Sequence, residues 1–138
     1  MNNNSIFVEK LRTSCLRPTR QRIEICKLLF DRKHTFHFTI NDLSNSLHKI
    51  TNEKISLATI YNTIHAFKNK GYLKEISINS DKSYYDTNVT NHHHFFDENK
   101  KELIDLDDKD VGKINIKKVL PGKKINSIEV LVKIANNN

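Results

Sequence analysis

Tryptophan is absent from this chain, and glycine, proline and cysteine are scarce: three, two and two among 138 residues. So little glycine and proline excludes collagen-like and low-complexity chains. The two cysteines, Cys15 and Cys26, form no CxxC pair. That excludes a tetrathiolate zinc site and argues against a disulfide framework. Cys26 falls on an apolar helical stripe and reads as a small core residue. No run approaches the ~18 apolar residues of a membrane span. The start, Met1 to Asn4, lacks a basic secretory region, and Ile6-Phe7-Val8 is interrupted at once by Glu9 and Lys10, so the expected location is cytoplasmic. A repeat of solenoid period is missing. Nucleophile motifs and Gly-rich phosphate loops are missing too, which makes an enzyme a distant reading.

Charge is present in quantity and is unevenly placed. Lys and Arg number 23 against 16 Asp and Glu, a formal net charge of +7 with a pI near 9.4. Residues 1 to 88 hold 14 basic and 8 acidic side chains, whereas residues 89 to 138 hold 9 and 8. A polyanionic partner for the N-terminal part is therefore expected.

Helical periodicity dominates the first ~90 residues. One helix is predicted from Ile6 to about Ser14. A second opens at Pro18 and Thr19, with Ile23, Cys26, Leu29 and Phe30 as its apolar stripe. Thr39 and Asp42 have capping-box spacing for a third, whose buried edge is Leu43, Leu47 and Ile50. A fourth runs from Ser56 to Lys70 and stops at Gly71, where the chain needs a left-handed residue. Leu57, Ile60, Ile64 and Phe67 are expected to face inward on it. Tyr72 to Ile78 and Lys82 to Thr87 read as two strands around the turn Asn79-Ser80-Asp81.

Helix, turn, helix and a two-stranded ribbon outline a winged helix-turn-helix module, in which the second helix of the pair enters the major groove. The polar face of that helix offers Ser56, Thr59, Tyr61, Asn62 and Thr63, which suit base edges, thymine methyls and phosphates. Lys49, Lys54, Lys68 and Lys70 flank it and can reach phosphates.

After Asn91 the pattern changes to strands: His94 to Phe96, Leu103 to Leu106, and an alternating final segment with Ile128, Val130, Val132 and Ile134 on one face. One short helix is expected between Asp107 and Val119. About 45 residues hardly stabilise themselves alone, so pairing with a second copy is expected. The expected fold class is α+β, with a winged helix-turn-helix domain at 1–88 and a small α/β dimerization domain at 89–138. The terminal Asn136-Asn137-Asn138 is expected to be disordered.

The chemistry concentrates in His92-His93-His94. In an extended segment alternate side chains share a face, so His92 and His94 stand together and His93 points away. A His-x-His pair is half of a transition-metal site.

Three segments, Leu16 to Arg22 (LRPTRQR), Leu57 to His65 (LATIYNTIH), and Tyr85 to Asn88 followed by His92 to Phe96, resemble the ferric uptake regulator superfamily over residues 8 to 134. The three-histidine run with its aromatic pair looks most like the iron response regulator branch, where such a run is associated with haem. The resemblance implies a dimeric, metal- or haem-responsive transcription factor of iron homeostasis that binds promoter DNA. It implies that Arg17 enters the minor groove, with Arg20 and Arg22 in the same basic segment, and that Tyr61 and Asn62 contact bases. It also implies a ligand set of His37, Asp86, His92, His94 and Asp105, whose intervals match the peroxide-sensing pattern. Such a set suits Fe(II), Mn(II) or Zn(II). Haem, by the same resemblance, would fall to His92, His93 or His94.

Two departures from the family pattern bear on cofactors. Asp97 and Lys100 stand where the first CxxC of a structural zinc site would lie, so that site is not expected. Ile128 stands where a histidine of a further metal site would lie. His93 is left with three roles: haem ligand, hydrogen-bonding support for the ligands, or none. His34 and His65 read as structural or solvent-facing. The competing function is a winged-helix DNA-binding protein that no longer senses metal.

Overall fold

The computed structural model describes residues 4 to 137, which fall into two compact units divided between Val89 and Thr90. The fold class is α+β.

The first unit holds four helices and a small sheet: α1 (Asn4–Thr13), α2 (Arg20–Phe30), β1 (His37–Phe38), α3 (Ile40–Thr51), α4 (Leu57–Lys70), β2 (Lys74–Ser77) and β3 (Ser83–Asp86). Local chemistry sets the boundaries. Thr19 caps α2 by accepting from the Arg22 N–H, and Thr39 and Asp42 form the reciprocal capping box of α3. Ser56 caps α4, and Gly71 closes it at φ +90°, a conformation that only glycine adopts freely. Helical spacing then collects Leu11, Ile25, Cys26, Leu29, Leu43, Leu47, Ile60, Ile64 and Phe67 into one buried cluster with Phe38. The Phe30 and Phe67 rings meet edge-on at 5.5 Å.

Three expectations for this unit need correction. Ile50 is 62% and Leu57 54% exposed, although both were expected to face inward. Ile50 lies in the last turn of α3, on the rim of a cleft of about 250 Å³ that it shares with Ile55 and with the polar side chains of Arg20, Gln21, Glu24, Thr51 and Glu53. Leu57 is the first residue of α4, before the helix meets its neighbours. Thr63, placed on the polar face by the sequence, is fully buried, and its hydroxyl donates to the Thr59 carbonyl at 2.7 Å. The wing also has a third strand that the sequence did not announce: β1 pairs antiparallel with β3, giving the order β1-β3-β2.

The second unit is a three-stranded sheet of β4 (His93–Asp97), β5 (Glu102–Leu106) and β6 (Leu131–Ile134), with β4 central, antiparallel to β5 and parallel to β6. The expected helix after Asp107 is a single 3-10 turn, Asp108–Asp110. The long alternation at the chain end is assigned as strand only from Leu131, although the His94 N–H already donates to the Val130 carbonyl at 2.9 Å. Alternation marks a strand face, but its length depends on how much of β4 is available to pair.

Candidate metal centre and nucleic-acid face

The register of the wing sheet sets Asp86 at the end of β3 with His37 opposite on β1 and Lys74 opposite on β2. The His37 imidazole lies 3.0 Å from one Asp86 carboxylate oxygen, and the other oxygen accepts the Asn88 N–H at 2.8 Å. A carboxylate as buried as this one is tolerable only when partnered in this way. Burial lowers the pKa of Lys74, and the Asp86 charge works against that shift.

A second donor group assembles within the other unit. The β4–β5 register places Asp105 opposite His94. One Asp105 oxygen lies 3.3 Å from His92 Nε2 and 3.5 Å from His94 Nε2, and the two rings are 4.3 Å apart. His92 Nδ1–H donates to the Thr90 carbonyl at 2.7 Å, so in the neutral ring Nε2 carries the lone pair and faces Asp105. This outward hydrogen bond is the arrangement that orients a metal-ligating imidazole. The two Nε2 atoms and the carboxylate oxygen thus converge on one small volume. The donor chemistry, two imidazoles and a carboxylate, fits a first-row divalent ion.

On the nucleic-acid face, Ser56, Tyr61 and Asn62 are exposed on α4 and Thr59 is half-buried. The Ser56 hydroxyl donates to Thr59 Oγ1 at 2.9 Å, so these two act partly on each other. Tyr61 is 52% exposed and stacks on His65, one turn along, with ring centroids 5.8 Å apart and planes 8° from parallel. That stack was not read from the sequence, although the i, i+4 spacing carries it. Arg17 and Arg20 are exposed, Arg20 pairing with Glu53 at 3.1 Å. Arg22 is half-buried and donates to the Arg17 carbonyl at 3.0 Å, which makes it a support for the Arg17 segment.

Lys68 is held by Glu75 of β2 at 2.6 Å, tying α4 to the wing. The Lys68 ammonium, with the Ser83 hydroxyl, holds the Glu75 carboxyl below its ordinary pKa. A lowered folded-state pKa gives stability that is present above the unfolded carboxylate value and lost as pH falls through the folded one. Glu75→Gln is therefore expected to lower the urea midpoint slightly at neutral pH, to flatten its fall toward acid pH, and to leave it unchanged once the carboxyl is protonated. The effect is small, because the pair is partly exposed.

The ferric uptake regulator family model matches residues 13–133 of this sequence. The chain belongs to the ferric uptake regulator family. It is 33% identical over 99 residues to the peroxide-responsive repressor PerR of Staphylococcus aureus, a match covering 72% of this chain and 65% of that protein. The chain thus spans a little under two thirds of the curated relatives it matches. Among solved structures it is similar to the Vibrio cholerae ferric uptake regulator, with TM-score 0.70 and 19% identity over 94% of this chain and 98% of the other. The Pseudomonas aeruginosa ferric uptake regulator with manganese gives 0.68 and 16% over 96% and 99%. The Campylobacter jejuni peroxide stress regulator gives 0.57 and 20% over 100% and 98%. These relatives are peroxide-responsive and ferric uptake regulators; the narrower likeness to the iron response regulator branch is not what they carry.

Within this family frame the departures acquire physical content. The Asp97 carboxylate accepts the Asn99 and Lys100 N–H groups at 2.9 and 3.0 Å and closes the β4–β5 turn, where the family pattern places a thiolate. Of the two cysteines, Cys15 is exposed and Cys26 buried, and burial pushes the Cys26 thiol up to about 12, far from a thiolate ligand.

His93 is 8% exposed on the opposite side of β4 from His92 and His94. Its Nδ1 accepts the Val130 N–H at 2.9 Å, and its Nε2 lies 3.1 Å from the Asp108 carboxylate. Both partners lie outside the candidate ligand set, so these contacts join β4 to the segments at Asp108 and Val130 rather than to a ligand. Axial ligation of haem needs an accessible ring nitrogen, and both nitrogens of His93 are engaged.

Proposed function

We propose that this protein is a transcription regulator that binds promoter DNA as a homodimer through α4, and that a divalent first-row metal sets its affinity. The observation that carries the reading is the pair of donor groups: His37 with Asp86 on the wing sheet, and His92, His94 and Asp105 in the second unit. In this reading His37, Asp86, His92, His94 and Asp105 close on one ion. Three imidazoles and two carboxylates select Fe(II), Mn(II) or Zn(II) over soft or alkaline-earth ions. Such an ion acts as an electrostatic tie between the units, and fixing one against the other converts occupancy into DNA affinity. The metals named with the family structures, manganese in Pseudomonas aeruginosa and iron in Francisella tularensis, agree with this choice. Control of iron-homeostasis genes follows from the same likeness. Of the haem candidates His92, His93 and His94, His93 has both ring nitrogens engaged, which counts against it.

The DNA-facing set in this reading is Arg17, Arg20, Ser56, Thr59, Tyr61 and Asn62, with Arg22 acting through Arg17. Metal analysis of the purified protein and electrophoretic shifts on an AT-rich promoter fragment, with metal and with chelator, test the reading. Specific binding that responds to metal supports it; binding indifferent to chelator and to loss of His92 and His94 points instead to a winged-helix protein that does not sense metal. Tyr61→Ala and Asn62→Ala are each expected to weaken specific binding by about 1–3 kcal/mol while leaving binding to random duplex nearly unchanged. Equal loss on both duplexes would remove these residues from base reading. The proposed activity is regulatory, without catalysis.

A further inference from the structure

The near-neutral balance of the second unit conceals a sharp segregation. Seven of its eight acidic residues lie between Asp97 and Asp110, whereas residues 111 to 128 hold Lys113, Lys117, Lys118, Lys123 and Lys124 and no acidic residue. All five lysines are exposed, and no helix or strand is assigned between Asp110 and Leu131. The centre of the segment is nevertheless organised. Leu120-Pro121-Gly122-Lys123 forms a tight turn, with the Lys123 N–H donating to the Leu120 carbonyl at 3.1 Å and Gly122 at φ +73°. Proline second and a left-handed glycine third are what such a turn requires. Lys117 and Lys118 precede this turn and Lys123 and Lys124 close it, so four exposed ammonium groups fall within eight residues of a segment that has no acidic side chain. Their like charge favours a polyanionic partner.

We infer that residues 113–124 form a lysine finger that grips the phosphate backbone of duplex DNA, adding sequence-independent affinity to the base reading of α4. Lysine suits this role as a point charge on a flexible stem. The segment has exposed apolar residues, Ile116, Val119, Leu120 and Ile125, but it is not helical and contains no aromatic residue. It therefore lacks the amphipathic helical face with which a chain lies in an anionic membrane. The finger rests on the proposed DNA-binding function only for its biological target; its contact with duplex is measured independently.

The test is the salt dependence of binding by the full chain to the promoter fragment and to a random-sequence duplex of similar length, read by fluorescence anisotropy. Each phosphate contact contributes about 0.9 to the slope of log K against log salt, so changing Lys117, Lys118, Lys123 and Lys124 to Gln is expected to make the slope shallower by roughly 3–4 per chain on both duplexes. Arginine at the same four positions is expected to restore the slope. A Gln variant with native circular dichroism and an unchanged slope overturns the finger. So does lysine-dependent binding to phosphatidylserine vesicles with no change on DNA. Should the wild-type chain bind random duplex with the lysine-dependent slope but show no preference for any promoter fragment, the finger stands and the regulatory reading falls.

Discussion

Alanine at both His92 and His94 is expected to lower divalent-metal affinity by about 100-fold or more and to leave DNA binding unresponsive to metal. Loss of even a residue that only supports a metal ligand commonly lowers affinity 10–100-fold, and this change removes two nitrogens of the proposed set. The third donor of that unit, Asp105, is then left without the two imidazoles it faces. Competition against a fluorescent chelator measures the affinity, and anisotropy with and without metal measures the response. His93→Ala is the informative contrast. That ring joins β4 to Val130 and Asp108 from the opposite side of the strand, so its loss is expected to loosen the second unit while metal affinity falls far less. A double variant that still binds one ion per chain with native affinity would move the sensor elsewhere.

The second large effect concerns the platform of α4. Phe67→Ala is expected to destabilise the first unit by about 3–5 kcal/mol, because the ring is fully buried among helices and its removal leaves a cavity that the core closes only in part. A whole domain has only about 5–15 kcal/mol to lose, so the urea midpoint falls sharply and DNA binding at warm temperatures is lost with it. Ile50→Ala and Leu57→Ala, equally apolar and also on helices of this unit, are expected to change stability by roughly 0.5 kcal/mol or less, since both side chains are mostly exposed. Equal losses at Phe67 and Leu57 in equilibrium urea unfolding would show that α4 packs differently.

Much of the first unit was legible because its signals are local. Thr39 with Asp42, Ser56 and Gly71 each specify a helix end through groups a few residues apart, and the stripe of Ile60, Ile64 and Phe67 follows from helical spacing alone. The facing of His92 and His94 was equally local, since side chains alternate along any strand. The misreadings have two causes. Ile50 and Leu57 sit in a last and a first helical turn, where burial depends on what the neighbouring helix presents. Thr63 is mid-helix, and its hydroxyl is buried because it returns its hydrogen bond to the Thr59 carbonyl one turn back. The two-residue strand β1 has no periodicity to detect; it exists because β3 offers its edge to His37 and Phe38.

By itself the sequence determined the order of the first unit's helices and the caps that end them, and the alternation that separates His93 from its two neighbours. Tertiary structure decided which donors meet: Asp86 with His37 and Lys74 through strand register, Asp105 with His92 and His94 across a hairpin, and His93 with Asp108 and Val130. Caps and periodicity act over one helical turn, whereas these pairings join residues 11 to 49 positions apart in the sequence. Only the register of paired strands and the closure of loops carries information across that distance.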